Sequence, residues 1–310
     1  MSVMLPTIGA VPLADSRQPG DAPRQPGDAL RRAKGVLWPA RGREVYESSR
    51  DWVEGPLSLV LSRTWWVRWR REESVPFRAE VLGDPIVHLT LEEVAGGESI
   101  HGVPTPAALV HGVVTKVFTV DLPRAGRVTG VGFHPGGLAA LLDRDVADLT
   151  GRVVDATGIV GPAIADVART ATGLVDEADR QRILLDHLAE LFEPVADRVA
   201  QDTTYRAVRR ATDLMRSREQ VSLGPIAEAV HLSPRTLQRA FTRYVGVSPL
   251  RVLRRFRLQD AAHAIDSGQA PDLATLATRL GWSDQAHFTR EFTAVIGVSP
   301  ARYRSGRVTP

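Results

Sequence analysis

The sequence contains no cysteine, and this absence removes disulfides, thiolate zinc sites, iron–sulfur clusters and cysteine nucleophiles together. Uninterrupted apolar runs near 18 residues are also missing, and the mildly apolar first 13 residues carry no basic leading segment. Neither a spanning helix nor a secretory signal is therefore expected, and the expectation is a soluble cytoplasmic protein with no membrane partner. No Ser-His-Asp elbow, phosphate-cradling glycine loop or paired-carboxylate motif stands out, so no catalytic residue and no enzymatic activity are expected. What remains is 310 residues, 43% of them apolar, enough for two domains that each bury a core.

Lysine is absent from one third of the chain. Residues 203–310 hold 17 Arg, no Lys and 8 acidic residues, a net charge of +9; the first 202 residues hold 22 basic and 28 acidic residues, a net −6. A compact basic domain of this kind is the electrostatic footprint of a polyanion binder.

Along the chain the texture changes three times. Residues 1–42 contain six Pro, five Gly and two copies of one pattern, Arg17 to Asp21 and Arg24 to Asp28, and read as a flexible tail. From about 50 to 134, Leu57–Arg70, Ile86–Leu91, Ala108–Val120 and Arg127–Phe133 are rich in Val, Thr and aromatics and punctuated by Gly and Pro, which predicts an antiparallel sandwich or barrel. Helical spacing follows in Leu138–Leu142, Ile159–Thr172 and Glu177–Phe192, and the last two form either a dimerisation hairpin or a cover for the barrel.

Beyond 203 the chain contains an internal repeat. Ile226-Ala227 through Leu232-Ser233, then Leu237, Arg239, Phe241 and Gly246-Val247-Ser248-Pro249, recurs as Leu276-Ala277 through Trp282-Ser283, then Phe288, Arg290, Phe292 and Gly297-Val298-Ser299-Pro300. The offset is 50 up to the serine and 51 after it, so the second copy carries one extra residue. In each copy a short helix leads into a tight turn, and Ser233 and Ser283 stand where an N-cap is needed. Leu237 and Phe241, or Phe288 and Phe292, point inward at i and i+4. Arg235, Thr236, Gln238, Arg239 and Arg243 are left outward in the first copy, and Gln285, Thr289 and Arg290 in the second. This is helix-turn-helix arithmetic, because Arg can grip guanine and Gln adenine in the major groove. A helix over Leu250–Ile265, apolar at Leu253, Phe256, Leu258, Ala261, Ala262 and Ile265, joins the two units.

Residues 203–306 resemble the DNA-binding domain of the AraC/XylS family of bacterial transcription regulators. The more specific match is Leu280-Gly281-Trp282-Ser283-Asp284-Gln285, then His287-Phe288-Thr289-Arg290-Glu291-Phe292 and Gly297-Val298-Ser299-Pro300-Ala301-Arg302-Tyr303-Arg304. The resemblance implies that Arg235, Gln238 and Arg239 read bases from the first helix, and Gln285, Thr289 and Arg290 from the second. His231 departs from the pattern, since the second copy has Gly281 there. Over residues 50–192, a strand-rich unit followed by Val131-Gly132-Phe133-His134-Pro135-Gly136-Gly137-Leu138-Ala139-Ala140-Leu141-Leu142 is similar to sensor domains of an AraC-type subgroup, which implies a cupin-like β-barrel with helices in a sensor domain over residues 43–200. The fold class is thus α+β multidomain, with an all-α C-terminal domain of two helix-turn-helix units joined by a linker helix.

Five of the six tryptophans precede residue 70. On a strand Trp65 and Trp69 share one side and Trp66 faces the other, and the three are candidates for an effector pocket or for core packing. His88, His101, His111 and His134 show no His-x-His spacing, so no metal and no other cofactor is expected. The expected partners are double-stranded DNA and a small-molecule effector; RNA polymerase and a second copy of the chain are further partners this reading admits. The alternatives are a nonspecific architectural DNA binder and an enzyme fused to a DNA-binding domain.

Overall fold

A computed structural model describes Leu37 and residues 45–71, 77–217, 222–270 and 272–306. Apart from Leu37, the 1–42 tail lies outside the described residues. The strands are β1 (Tyr46–Trp52), β2 (Leu61–Arg70), β3 (Phe77–Val81), β4 (His88–Val94), β5 (Ala107–His111), β6 (Phe118–Leu122), β7 (Ala125–Phe133) and β8 (Val153–Asp155). The helices of the N-terminal half are α1 (Gly137–Leu142), α2 (Thr157–Val160), α3 (Ile164–Thr172), α4 (Glu177–Phe192) and α5 (Ala196–Gln201). Those of the C-terminal half are α6 (Thr203–Ser217), α7 (Leu223–Ala229), α8 (Pro234–Val245), α9 (Pro249–Asp266), α10 (Leu273–Arg279), α11 (Gln285–Ile296) and α12 (Pro300–Arg304). Among the described residues no helix is long and apolar enough to cross a membrane.

Six strands form an antiparallel sheet in the order β1-β2-β7-β4-β5-β8, and β3 pairs with β6 as a separate ribbon. The N-terminal half is β-rich with helices, as expected, but the described strands make an open sheet plus a ribbon and not a closed barrel. The segment Ala108–Val120 is two strands rather than one. After His111 the backbone turns aside to bond residues of another loop, Gly112 N–H to Arg152 O at 2.9 Å and Gly151 N–H to Val113 O at 2.9 Å, which ends the ladder with β4. The helical stretch 159–172 is likewise broken, by Gly161-Pro162 between α2 and α3, because proline has no N–H to continue a helix.

Each face of the sheet has its own cover. Leu89, Leu91, Ala108, Val110, Val131 and Phe133 face the helices and share a core with Leu138, Ala168, Leu184 and Leu188. The hairpin of α3 and α4 therefore covers the sheet. Asp176 caps α4 by accepting from Ala178 N–H at 2.8 Å, and Arg180, 1% exposed, fixes it to the sheet through Thr129 Oγ1 at 3.0 Å and Glu93 Oε2 at 3.1 Å. On the opposite face Trp69, Val94, Leu122 and Val128 pack with Trp65, Phe77, Ala79 and Val120, which seats the ribbon.

The two helix-turn-helix units are built into different cores. Tyr205, Val208, Leu237, Phe241, Val252 and Phe256 continue the sheet–helix core. Leu258, Ala261, Leu276, Trp282, Phe288, Phe292 and Tyr303 form a second core, joined by Leu82 from the loop after β3.

Candidate nucleic-acid interface

The first reading helix, α8, starts as the sequence dictates. Ser233 Oγ accepts from Thr236 N–H at 3.1 Å, Pro234 occupies the first helical position, and Gly246 closes the helix at φ 86°, which satisfies the unpaired backbone groups at both ends. Leu237, Ala240, Phe241, Tyr244 and Val245 are buried, while Arg235, Thr236, Gln238, Arg239 and Arg243 are all exposed. Four of those five donor-bearing residues have no described charged partner. Arg243 differs, since it pairs with Asp143, which follows α1, at 2.7 Å.

The second helix, α11, starts one residue later than the serine predicts. Asp284, not Ser283, is the N-cap, accepting from His287 N–H at 2.6 Å, and Ser283 Oγ donates to Asp284 Oδ2 at 3.1 Å. This places the extra residue of the second copy in the turn, and leaves Gln285 at the first helical position. Gln285 and Arg290 are exposed and Thr289 is half-buried. Glu291 anchors the turn by accepting from Trp282 Nε1 at 2.8 Å and pairing with Arg254 of α9 at 3.1 Å.

The turns themselves explain the histidine–glycine difference. Gly281 has φ 85° and His231 has φ 56°, so both positions require the left-handed region, which costs a side-chain-bearing residue about 1–2 kcal/mol. Replacing the exposed His231 by Gly is expected to leave DNA binding unchanged and to raise stability by about 0.5–1 kcal/mol, read as a later urea midpoint at constant slope.

The reading units are tied to the N-terminal half by polar residues that patterning does not reveal. Arg255 and Gln259 lie buried on the otherwise apolar face of α9. Arg255 donates to Val114 O and, at 2.9 Å, to Lys116 O; Gln259 Nε2 donates to Leu82 O at 2.8 Å and Asp84 Oδ1 at 3.2 Å. Asp84 also pairs with Arg63 at 2.8 Å and Arg216 at 3.4 Å. Burial alone would raise the Asp84 carboxyl, but Arg216 and Arg63 hold it well below the usual carboxylate range. A third tie runs through α1. A Cβ on Gly136 would lie 3.2 Å from Tyr205 and from Tyr244, so the glycine that caps α1 lets it approach α6 and α8. Tyr205 and Tyr244 then bond Leu59 O and Asp202 Oδ2, each at 2.7 Å.

In the N-terminal half the ribbon-facing side of the sheet carries two of the three candidate effector residues. Trp65 and Trp69 share that side and lie opposite Gly130 and Gly126 of β7, where any Cβ would strike their rings. Trp69 is buried, with its Nε1 on Pro123 O at 3.0 Å. Trp65 is half-buried and donates to His88 Nδ1 at 3.1 Å; burial, with Arg63 nearby, holds the His88 imidazole well below its ordinary range, so it stays neutral and can accept. Trp66 faces the other way. Beside a groove of about 690 Å³ at the β1–β2–β7 edge, Trp69 is the only one of the three that contributes to the lining.

The same side brings together residues that linear spacing does not connect. Glu92 Oε1 lies 2.9 Å from His111 Nε2, and Glu92 Oε2 lies 3.6 Å from His101 Nε2. Thr90 Oγ1 lies 2.9 Å from Glu92 Oε1 and 3.1 Å from His111 Nε2. The only sequence signal for this set is the alternation of Thr90 and Glu92 along β4; the histidines arrive through strand pairing and a loop. His134 lies elsewhere, against Ser58 O at 3.2 Å.

Comparison with known proteins separates the two halves. Residues 226–306 match a family model described as a helix-turn-helix domain, and residues 54–155 match one described as a domain of unknown function. The HTH-type transcriptional activator RhaS of Escherichia coli is 37% identical over 89 residues, 29% of this chain and 32% of RhaS. The chain thus spans about a third of the length of the curated relatives it matches. The C-terminal domain of AraT, a response regulator from Geobacillus stearothermophilus, is 31% identical over 34% of this chain and 88% of that domain, with a TM-score of 0.31. ToxT of Vibrio cholerae is 9% identical, covering 85% of this chain and 98% of the ToxT chain at a TM-score of 0.38.

Proposed function

Because the chain belongs, through its C-terminal domain, to the AraC/XylS family of transcription regulators, we propose that it binds a specific DNA site through both helix-turn-helix units, under the control of an effector sensed by the β-rich half. The observation that carries this reading is the repeat itself. Two capped helices each bury an i, i+4 aromatic or leucine pair and present Arg, Gln or Thr outward, on a domain of net charge +9.

The proposed base-reading residues are Arg235, Gln238 and Arg239 on α8 and Gln285, Thr289 and Arg290 on α11, with Thr236 and Arg243 beside them. Arg can take guanine O6 and N7 together, and Gln can take adenine N6 and N7. Helix α9 joins the two units over 18 residues, so one chain would reach two successive major-groove faces about 34 Å apart. Trp65 and Trp69, on the ribbon-facing side, are the aromatic surface proposed for a small-molecule effector with an apolar part; Trp66, on the opposite side, would act only through the sheet.

The test compares two arginines. Arg239 is exposed without a described partner, whereas Arg254 is paired with Glu291. Arg239→Ala is expected to cost about 1–3 kcal/mol at the operator and to relax preference at one or two base pairs. Arg254→Ala should weaken all sequences by one smaller factor. Both variants are titrated against operator, first located by footprinting, and against scrambled DNA at one salt concentration. Equal loss on both DNAs for Arg239→Ala would make it a phosphate contact and favour nonspecific architectural binding.

A further inference from the structure

We propose that Glu92, His101 and His111 form a binding site for one divalent transition-metal ion of the zinc class, held between β4, β5 and the loop that joins them. The proposal is independent of the DNA-binding reading, since it concerns only residues of the N-terminal half.

Three segments converge on the site. Glu92 comes from β4, His111 from the end of β5, and His101 from the connecting loop. Their donor atoms all lie within 4.8 Å of one another. Zinc bonds of about 2.0–2.2 Å in tetrahedral geometry place neighbouring donors about 3.3–3.6 Å apart. Glu92 Oε2 lies 3.6 Å from His101 Nε2, close to that distance, while the other carboxylate oxygen, Oε1, lies 2.9 Å from His111 Nε2, so a small shift of the carboxylate would present one oxygen to both rings.

One carboxylate oxygen is aimed into the cluster unpartnered. Glu92 is 2% exposed, and its Oε2 is buried without a hydrogen-bond donor while it faces His101. A buried carboxylate oxygen left so is costly, and native structures leave few such groups unmatched. An ion at that oxygen would satisfy it together with both imidazoles. Thr90, bonded to the other carboxylate oxygen at 2.9 Å, orients the glutamate as an outer-shell partner does. Phe118 of β6 closes over both rings, 5.6 Å from His101 and 5.7 Å from His111 between centroids.

The donor set selects the ion. Two imidazoles and one carboxylate suit Zn²⁺ and its first-row neighbours, while Ca²⁺ and Mg²⁺ favour all-oxygen sites. Three protein donors leave a fourth position open to water or to an anionic small molecule. The ion would sit on the sheet face that also carries Trp65 and Trp69, so an effector could meet an apolar wall and a Lewis acid together.

The chain has 8 His and no Cys, which makes metal stoichiometry readable. The full chain, stripped with chelator and equilibrated with limiting Zn²⁺, should retain one equivalent by elemental analysis, and Co²⁺ should give the visible absorption of a four-coordinate site. Glu92→Gln and His101→Ala should each weaken binding by at least about 10- to 100-fold, the loss that removal of even an outer-shell partner brings. His263→Ala, on α9, should load as the wild type does. His101 is half-buried on a loop, so its variant answers the question should Glu92→Gln fail to fold. Retention of well under one equivalent by the wild type, or equal loading of the His101→Ala chain, would overturn the site.

Discussion

Between about 50 and 200 mM salt, the affinity of the full chain for its operator is expected to fall roughly 10³- to 10⁴-fold. Each phosphate neutralised by an arginine releases condensed counterions, and the slope of log affinity against log salt is about −0.9 per phosphate. With on the order of six to eight contacts the slope is about −5 to −7. Outside the proposed base-reading set, the exposed arginines available for it include Arg251, Arg279 and Arg304. Arg243 is held by Asp143 in this structure, so its contribution depends on releasing that pair. Fluorescence anisotropy at four or five salt concentrations measures the slope. A value flatter than about −2 would remove the basic domain as the source of affinity.

Loss of Asp84 should damage the fold more than any surface change. Its carboxylate bonds Arg63, Arg216 and Gln259 from three elements, and the Arg63 side chain is 8% exposed. Asp84→Ala would strand that guanidinium, whose Nε already has no partner, and breaking a buried pair from one side costs about 3–5 kcal/mol. The pH dependence follows from the depressed carboxyl. The pair's contribution is fully present above the unfolded value of about 3.9 and is lost only as pH falls through the lower folded value. Urea unfolding should therefore show an unchanged gap between wild type and variant from neutral pH down to about pH 5, narrowing below about pH 4. A gap under about 1 kcal/mol at pH 7 would mean that water already screens the cluster.

Local chemistry was readable in the sequence, and pairing between distant segments was not. The bounds of α4 follow from its helical spacing, and the two reading helices follow from the repeat with its Gly246 and Gly297. The left-handed turn at His231 follows from alignment with Gly281. The cap of α11 was misplaced by one residue because serine and aspartate adjoin there and both can cap; the carboxylate takes the N–H and the hydroxyl supports it. Sheet order lay beyond the sequence, since neighbours such as β2 and β7 are far apart in the chain. The Glu92, His101 and His111 grouping depends on that order. Periodicity does not single out Arg255 and Gln259, because it assigns a face and not a partner: on α9 they share the buried side with Leu258 and Ala262 and serve the loops of the other half.

The core that runs from the sheet into α6, α8 and α9 has a bearing on modularity. A chimera that exchanged the N-terminal half at residue 202 would leave Tyr205, Phe241 and Phe256 facing a foreign surface, whereas the second reading unit would keep most of its own core and lose Leu37, Leu82 and Val117. The natural unit of exchange is thus asymmetric: everything up to the middle of α9 travels as one piece, and the last 50 or so residues travel as another. An engineer retargeting the DNA site while keeping the response would graft α10 to α12 first, because that seam breaks one helix and the few contacts of Leu37, Leu82 and Val117, and leaves the sensing half with the first reader it is built upon.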